Sequence, residues 1–266
     1  MKTPRPRLVA MDLDGTLLRS DATVSPRTAA ALDRIEKAGS RFVFVTGRPP
    51  RHAEWPLRPF GYQGEVICAN GALTYDMGNA SISELTLIPA RVLAEAAARL
   101  RRAIPGLGLA VEYTDGYVRD PGYEVGAWGS KDDVPAVPDD QLLARDAVKL
   151  LGRHPSLPAD DLLALAVPAI GDIVAVYHSG GSRLIEATAA GVSKGTALAG
   201  LAGRLGIAAA DVVAFGDMVN DLPMLAWAGT AYGMANAHPD VLAMVDQVIP
   251  GNDDDGVATV LEQLFP

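Results

Sequence analysis

The chain has 266 residues, 49% of them hydrophobic and 21% charged, with a formal net charge of −9. That length buries a sizeable core and accommodates one large domain or two smaller ones. The acidic balance argues against non-specific nucleic-acid binding, which depends on Lys and Arg displacing counterions, while leaving room for a local basic pocket that takes an anionic substrate.

The N-terminal stretch from Met1 to Arg7 is basic, and the apolar run after it, Leu8 to Met11, is too short to be the core of a signal peptide. No stretch approaches the roughly 18 apolar residues of a membrane span. A cytoplasmic location without membrane association is therefore expected. Leu8–Met11 reads as a strand buried on both faces, and Asp12-Leu13-Asp14-Gly15-Thr16-Leu17 follows it. Ser25 and Pro26 then open a helix, as a capping residue followed by a proline at the first helical position, with Ala29, Leu32 and Ile35 on its apolar face and Gly39 at its end. A second apolar run, Arg41–Val45, precedes Thr46-Gly47-Arg48. A third, Val66–Ala69, precedes Asn70-Gly71-Ala72 and carries Cys68. As the only cysteine, Cys68 excludes a disulfide framework within the chain and a cysteine-rich zinc site, and it reads as a buried core thiol that suits a reducing compartment.

From 83 to 186 the rhythm breaks. Ala90–Arg102 has helical spacing, and Leu107–Tyr113 and Tyr117–Arg119 read as a strand pair around the turn signal Asp115-Gly116. The segments beginning at Val148, Asp160, Ile173 and Arg183 follow in the order strand, helix, strand, strand. The stretch from Asp132 to Asp140 reads as a surface loop. Beyond this region Ser193 caps a helix that runs through Leu205. A fourth apolar run, Val212–Phe215, leads into Gly216-Asp217-Met218-Val219-Asn220-Asp221. Thr230–Met234 and Gln247–Ile249 are weaker fifth and sixth runs. The fold class is thus α/β. A Rossmann-like parallel sheet core, 1–82 and 187–266, is interrupted by an inserted α+β domain at 83–186.

Open parallel sheets place their sites beyond the carboxyl ends of the strands, so the residues after each run carry the chemistry. In extended chain Asp12 and Asp14 share a face, and two carboxylates so close call for a cation. Thr46, Gly47 and Arg48 supply a hydroxyl, a flexible amide and a guanidinium, groups suited to phosphate oxygens. Asn70-Gly71 is a turn signal, and Asn70 equally reads as a residue that shapes the site. Lys194 falls in the first turn of its helix, where the macrodipole disfavours cations, so it reads equally as a lysine that faces bound negative charge and as a solvated surface lysine. Asp217, Asn220 and Asp221 lie on one face if a helix starts there, and together with the first pair they form an oxygen-ligand set suited to magnesium.

Together these motifs resemble the haloacid dehalogenase superfamily, in its Cof-type (subfamily IIB) branch of phosphatases. The segments Gly233-Met234-Ala235-Asn236-Ala237 and Asn252 to Ala258 resemble the tail of that branch, and 83–186 matches its C2-type cap by position and length. The resemblance implies an Mg2+-dependent phosphatase acting on a small phosphorylated metabolite, a sugar phosphate or a cofactor-like phosphate monoester. It implies Asp12 as the nucleophile that forms an aspartyl-phosphate and Asp14 as general acid and base. Asp12, the carbonyl of Asp14 and Asp217 would hold the metal, supported by Asp221, while Leu13, Thr46, Gly47, Lys194 and Asn220 would hold phosphate. Asp14 also separates the chain from the dehalogenases, which lack an aspartate at that place. The cap would be a lid with Tyr113, Arg119, Trp128, His178 and Arg183 as candidate contacts, although scattered aromatics are more often core residues. His52, His154 and His238 read as surface or helix-end residues. A phosphomutase and a catalytically silent binding protein are the competing readings, and the sequence carries no sign of oligomeric state.

Overall fold

The computed structural model describes residues 5–126, 134–180 and 183–266. The chain divides into two compact units, Met1–Glu84 with Ser193–Pro266, and Leu85–Val192 inserted between them. The chain begins with β1 (Leu8–Met11), α1 (Pro26–Lys37), β2 (Arg41–Val45), α2 (Pro50–Leu57), β3 (Glu65–Cys68), β4 (Leu73–Asp76) and β5 (Ser81–Leu85). The insertion holds α3 (Ala90–Ala103), β6 (Gly108–Glu112), β7 (Tyr117–Arg119), α4 (Asp139–Leu142), β8 (Lys149–Arg153), α5 (Ala159–Ile170), β9 (Val174–Tyr177) and β10 (Leu184–Ala189). The chain returns through α6 (Lys194–Arg204), β11 (Val212–Gly216), α7 (Leu222–Trp227), β12 (Thr230–Met234), α8 (Pro239–Met244), β13 (Gln247–Ile249) and α9 (Gly256–Leu264).

The first unit is an eight-stranded sheet in the order β13-β12-β11-β1-β2-β3-β4-β5. It is parallel from β13 to β3, and β4 pairs antiparallel with β3. All six apolar runs of the sequence form its parallel strands. The first four run at zero to a few per cent exposure over most of their length, as expected of strands covered on both faces. Cys68 is fully buried at the end of β3. In α1 the buried stripe is Thr28, Ala31, Leu32 and Ile35, so Ala29 lies beside the face expected for it and is only half-buried. The strands β4 and β5 were not legible in the sequence. Asn70-Gly71 does turn the chain, but into a hairpin-like return along β3, and every residue of β5 is exposed, so it lacks an apolar alternation.

The second unit is a five-stranded antiparallel sheet in the order β7-β6-β8-β10-β9. Helices α3 and α5 pack on each other and bury Leu93, Ala96, Ala97 and Leu100 from one, Leu162, Ala166 and Ile170 from the other. Glu112 opposes Lys149 across β6 and β8, and the buried Lys149 Nζ donates to Glu186 Oε2 at 3.0 Å. The loop expected from Asp132 to Asp140 ends differently, because Asp139 and Asp140 begin α4; Asp132 and Asp133 lie outside the described residues. Among the described residues no helix is long and apolar enough to cross a membrane.

Ser25 caps α1 as its sequence suggests. Its Oγ accepts from the Thr28 amide at 3.0 Å, satisfying one of the free donors at the helix start. Replacing Ser25 by Ala should cost about 1 kcal/mol, seen as a lower midpoint in urea unfolding with an unchanged slope.

Candidate active site

The strand order of the first unit reverses at β1 and β11, which is where ligands collect in such sheets. Met11 stands opposite Phe215 in the register of these strands, and the Asp12 amide donates to the Phe215 carbonyl at 3.1 Å. The first residues beyond the two strands are therefore Asp12 and Asp217. Ligand atoms of Asp12, Asp217 and Asp221 lie within 4.8 Å of one another, and all three residues are buried.

The loop after β1 is built around that cluster. Gly15 adopts φ +77°, and a Cβ there would lie 2.3 Å from Asp217 Oδ2, so only glycine lets the backbone pass the carboxylate. Thr16 Oγ1 donates to Asp217 Oδ1 at 2.8 Å. Asn236 Nδ2 donates to the Gly15 carbonyl, and Asn252 Nδ2 to that of Leu18, each at 2.8 Å. The Asn252 amide donates in turn to Asn236 Oδ1 at 3.1 Å. Asp253 accepts from the amide and hydroxyl of Ser20, and Asp255 pairs with Arg19 at 2.9 Å. The C-terminal segments thus clamp the loop.

Lys194 is the first residue of α6, held by a capping box in which Ser193 Oγ accepts from the Thr196 amide and Thr196 Oγ1 accepts from the Ser193 amide. It is 1% exposed, and its Nζ donates to Asp12 Oδ1 at 2.5 Å and to Asp221 Oδ1 at 2.6 Å. Burial draws its pKa down, but Asp12 and then Asp221 outweigh this, so the ammonium is held above its ordinary value. Burial raises the Asp12 carboxyl well above the usual range; Lys194 opposes the rise, and Asp221, Asp217 and Asp14 add to it. Asp217 is pushed up to about 7 by burial and then Asp221, with Thr16, Lys194 and Asp12 pulling the other way.

Asp217 precedes a short turn, Val219–Asp221, rather than starting a helix itself. Asp221 folds back across this turn, its Oδ2 accepting from the amides of Asp217 and Met218 at 3.0 Å each. Both of its carboxylate oxygens are therefore engaged, one by Lys194 and one by backbone. Asn220 is buried, and its Nδ2 donates to Asn70 Oδ1 at 3.0 Å.

Asp14 is turned to Arg48. The guanidinium is bidentate on its carboxylate, Nε to Oδ2 at 2.7 Å and Nη2 to Oδ1 at 2.5 Å, and Nη1 donates to the His52 carbonyl at 2.9 Å. Arg48 is buried while the Asp14 side chain is 46% exposed, so the pair offers the aspartate towards solvent. Thr46 is fully buried at the end of β2. Its Oγ1 accepts from the Arg48 amide at 3.1 Å, leaving its hydroxyl hydrogen to donate elsewhere.

The structure thus gathers Asp12, Lys194, Asp217 and Asp221 into one hydrogen-bonded cluster. Leu13 and Asp14 follow Asp12 in the same loop, Thr46 and Gly47 leave the neighbouring strand β2, and Asn220 lies in the turn that carries Asp221. Thr16, Asn236 and Asn252 were not singled out as braces of the loop, although the last two lie in segments that resemble the family's tail. In the inserted unit, Tyr113 is buried with its hydroxyl donating to the Leu142 carbonyl at 2.7 Å. Arg119 and Arg183 bond the carbonyls of Val134 and Pro155. His178 is buried with Nε2 2.8 Å from Asp160 Oδ1. Trp128 lies outside the described residues.

Three buried carboxylates around a single ammonium leave an excess of negative charge, which adds to burial in raising the titration of Asp12 and Asp217. A hard divalent cation relieves it, so the donor set fits one.

A sequence profile of the haloacid dehalogenase-like hydrolases matches residues 9–261. Among similar proteins is an HMP-PP phosphatase from Serratia proteamaculans, 30% identical over 259 residues that cover 91% of this chain and 88% of that one. Another is the 5-amino-6-(5-phospho-D-ribitylamino)uracil phosphatase YitU of Bacillus subtilis, 26% identical over 98% of both chains. A solved haloacid dehalogenase-like hydrolase from B. subtilis superposes with a TM-score of 0.83 at 23% identity, covering 96% of this chain and 99% of that one. With a profile match from the first strand to the last helix, and relatives named as phosphatases, this chain belongs to the haloacid dehalogenase-like hydrolase family, among its phosphoric monoester hydrolases.

Proposed function

We propose that this protein is a magnesium-dependent phosphatase that hydrolyses phosphate monoesters of small metabolites, sugar phosphates or cofactor-like phosphates, through an aspartyl-phosphate on Asp12. The observation that carries the reading is the Lys194 ammonium bridging Asp12 and Asp221 at the end of β1, with Asp217 beside them. The relatives' names point the same way, one to HMP-PP and one to a phosphoribitylamino-uracil.

Lys194 holds one Asp12 oxygen and so fixes the carboxylate for in-line attack on phosphorus. The new bond forms from Asp12 to phosphorus as the bond to the leaving oxygen breaks, and Asp14 gives that oxygen its proton. Asp14 then takes a proton from water, the water oxygen attacks phosphorus, and the Asp12–phosphorus bond breaks to release phosphate. Arg48 engages both Asp14 oxygens, so protonating a leaving oxygen requires that this pair open. Thr46, Gly47, Lys194, Asn220 and the Leu13 amide would hold phosphate oxygens, and the hydroxyl hydrogen of Thr46 is available to do so. Asp12, Asp217 and the Asp14 carbonyl would hold the cation. With both oxygens engaged, Asp221 holds Lys194 and the Asp217 loop in place. The cation supplies charge neutralisation on the phosphoryl oxygens.

Phosphate release from a panel of phosphorylated metabolites, with and without magnesium, tests the proposal. Turnover should require the metal and fall at least about a thousandfold in Asp12→Asn; release that survives the substitution, in a preparation free of contaminating phosphatase, would overturn the mechanism. Asp14→Asn should lower turnover about a hundredfold or more while still binding inorganic phosphate with near wild-type affinity in titration calorimetry.

The raised Asp217 also gives a pH signature. Between the ordinary 3.8 and about 7 the metal-free fold keeps a proton on Asp217 that the unfolded chain has released. That contribution to stability is whole below the ordinary value and is lost as pH rises through about 7. A cation competes for the same carboxylate. Magnesium should therefore raise Tm more at about pH 8 than at about pH 5, and an equal gain at both would exclude Asp217 as a ligand.

A further inference from the structure

Beyond β3 the chain takes three consecutive residues with positive φ: Ala69 at 51°, Asn70 at 57° and Gly71 at 98°. Only Gly71 is free of a steric penalty there, and Asn tolerates the conformation better than Ala does. The turn is held from several sides within the first unit. The Ala69 amide donates to the Arg48 carbonyl at 2.9 Å and the Asn70 amide to the Thr46 carbonyl at 3.0 Å. Gly71 is pressed against the residue that caps α6, since a Cβ on it would lie 2.3 Å from the Ser193 carbonyl oxygen. The turn therefore joins the loop after β2 to the helix start that presents Lys194.

Out of this turn the Asn70 side chain reaches Asn220, whose Nδ2 donates to Asn70 Oδ1 at 3.0 Å. Both side chains are buried, Asn70 at 1% and Asn220 at 3% exposure. With Asn70 Oδ1 turned to Asn220, a flip of the Asn220 amide alone would set two oxygens against each other. The Asn220 amide then retains one further N–H. That N–H is the group able to donate to a phosphoryl oxygen; the Asn220 Oδ1, buried and without a hydrogen-bond partner among the described residues, only accepts and would turn to a donor such as water.

We propose that Asn70 is a positioning residue for phosphate binding, which acts by fixing the orientation of the Asn220 amide. The inference rests on the reading of this site as a phosphate-ester site. Asn70 touches no reacting atom. By holding one Nδ2 hydrogen of Asn220 it leaves the other to donate to a phosphoryl oxygen, and the left-handed turn brings the Asn70 side chain to that place.

The test is a double-mutant cycle on the full chain with magnesium, using Asn70→Gly, Asn220→Ala and the pair. The readouts are kcat and KM for p-nitrophenyl phosphate and, independently of turnover, the affinity for inorganic phosphate by titration calorimetry. Glycine at position 70 removes the acceptor and relieves the backbone; Asn70→Ala removes the acceptor and adds strain. Both should weaken phosphate binding and lower kcat/KM by about tenfold or more, and adding either to Asn220→Ala should cost nothing further. Wild-type phosphate affinity in Asn70→Gly would overturn the proposal by assigning Asn70 to the backbone alone, as would losses that multiply in the double variant. A wild type that binds phosphate with this coupling and yet hydrolyses no ester would refute the proposed function and leave the positioning role standing. A wild type that does not bind phosphate would overturn both.

Discussion

Three carboxylates and one ammonium share a buried space at the end of β1, and much of the first unit is arranged to make that crowding tolerable. Like charges in a low-dielectric interior repel strongly. Lys194 answers two of them directly, while backbone amides and the Thr16 hydroxyl answer the remaining oxygens of Asp221 and one of Asp217. What is left over is a deficit of positive charge. The same deficit makes the site costly as a resting structure and suits it to a cation. Stability and function are opposed here, as is common where ionisable groups are gathered for chemistry.

The support extends well beyond the charged residues. The loop that carries Asp12 and Asp14 is not covered by a regular element, and its carbonyls at Gly15 and Leu18 are bound by asparagines from the far end of the chain. Asn236 and Asn252 are bonded to each other as well, so the clamp behaves as one body. The proposed role of Asp12 as nucleophile needs its carboxylate held to within a fraction of an ångström, and a loop with one glycine at positive φ does not supply that alone.

The sequence made the frame of this molecule readable because buried parallel strands write themselves as unbroken apolar runs, and because sites in such sheets must fall after those runs. Lys194 was legible for a different reason: a cation in the first turn of a helix opposes the macrodipole, and the opposition calls for an explanation. The strand β5 was hidden because all of its residues face solvent, and β4 because the turn before it read as the end of an element. The pairings of Arg48 with Asp14, Asn70 with Asn220 and Asn236 with Gly15 span 34, 150 and 221 residues. No periodicity links positions so distant. Asp14, Arg48 and Asn220 were singled out for the site and Asn236 for its family resemblance, but nothing local in the sequence says which of them touch.

The first unit is assembled from the two ends of the chain, and this governs the order in which the site comes into being. Asp12 meets Lys194 across 182 positions and Thr16 meets Asp217 across 201. On a ribosome β1 emerges early and gains β2 as a neighbour, but its other edge stays open until β11 has been made. The intervening Leu85–Val192 is one contiguous segment and suits folding as a unit during that delay. A nascent chain therefore carries Asp12 without the crowding that later surrounds it, and an unpaired, wholly apolar strand edge in exchange. The hazard for this protein during synthesis is thus premature pairing of β1 with another chain, and closure by β11 ends that hazard and brings Asp217 and Asp221 to Asp12 in the same event.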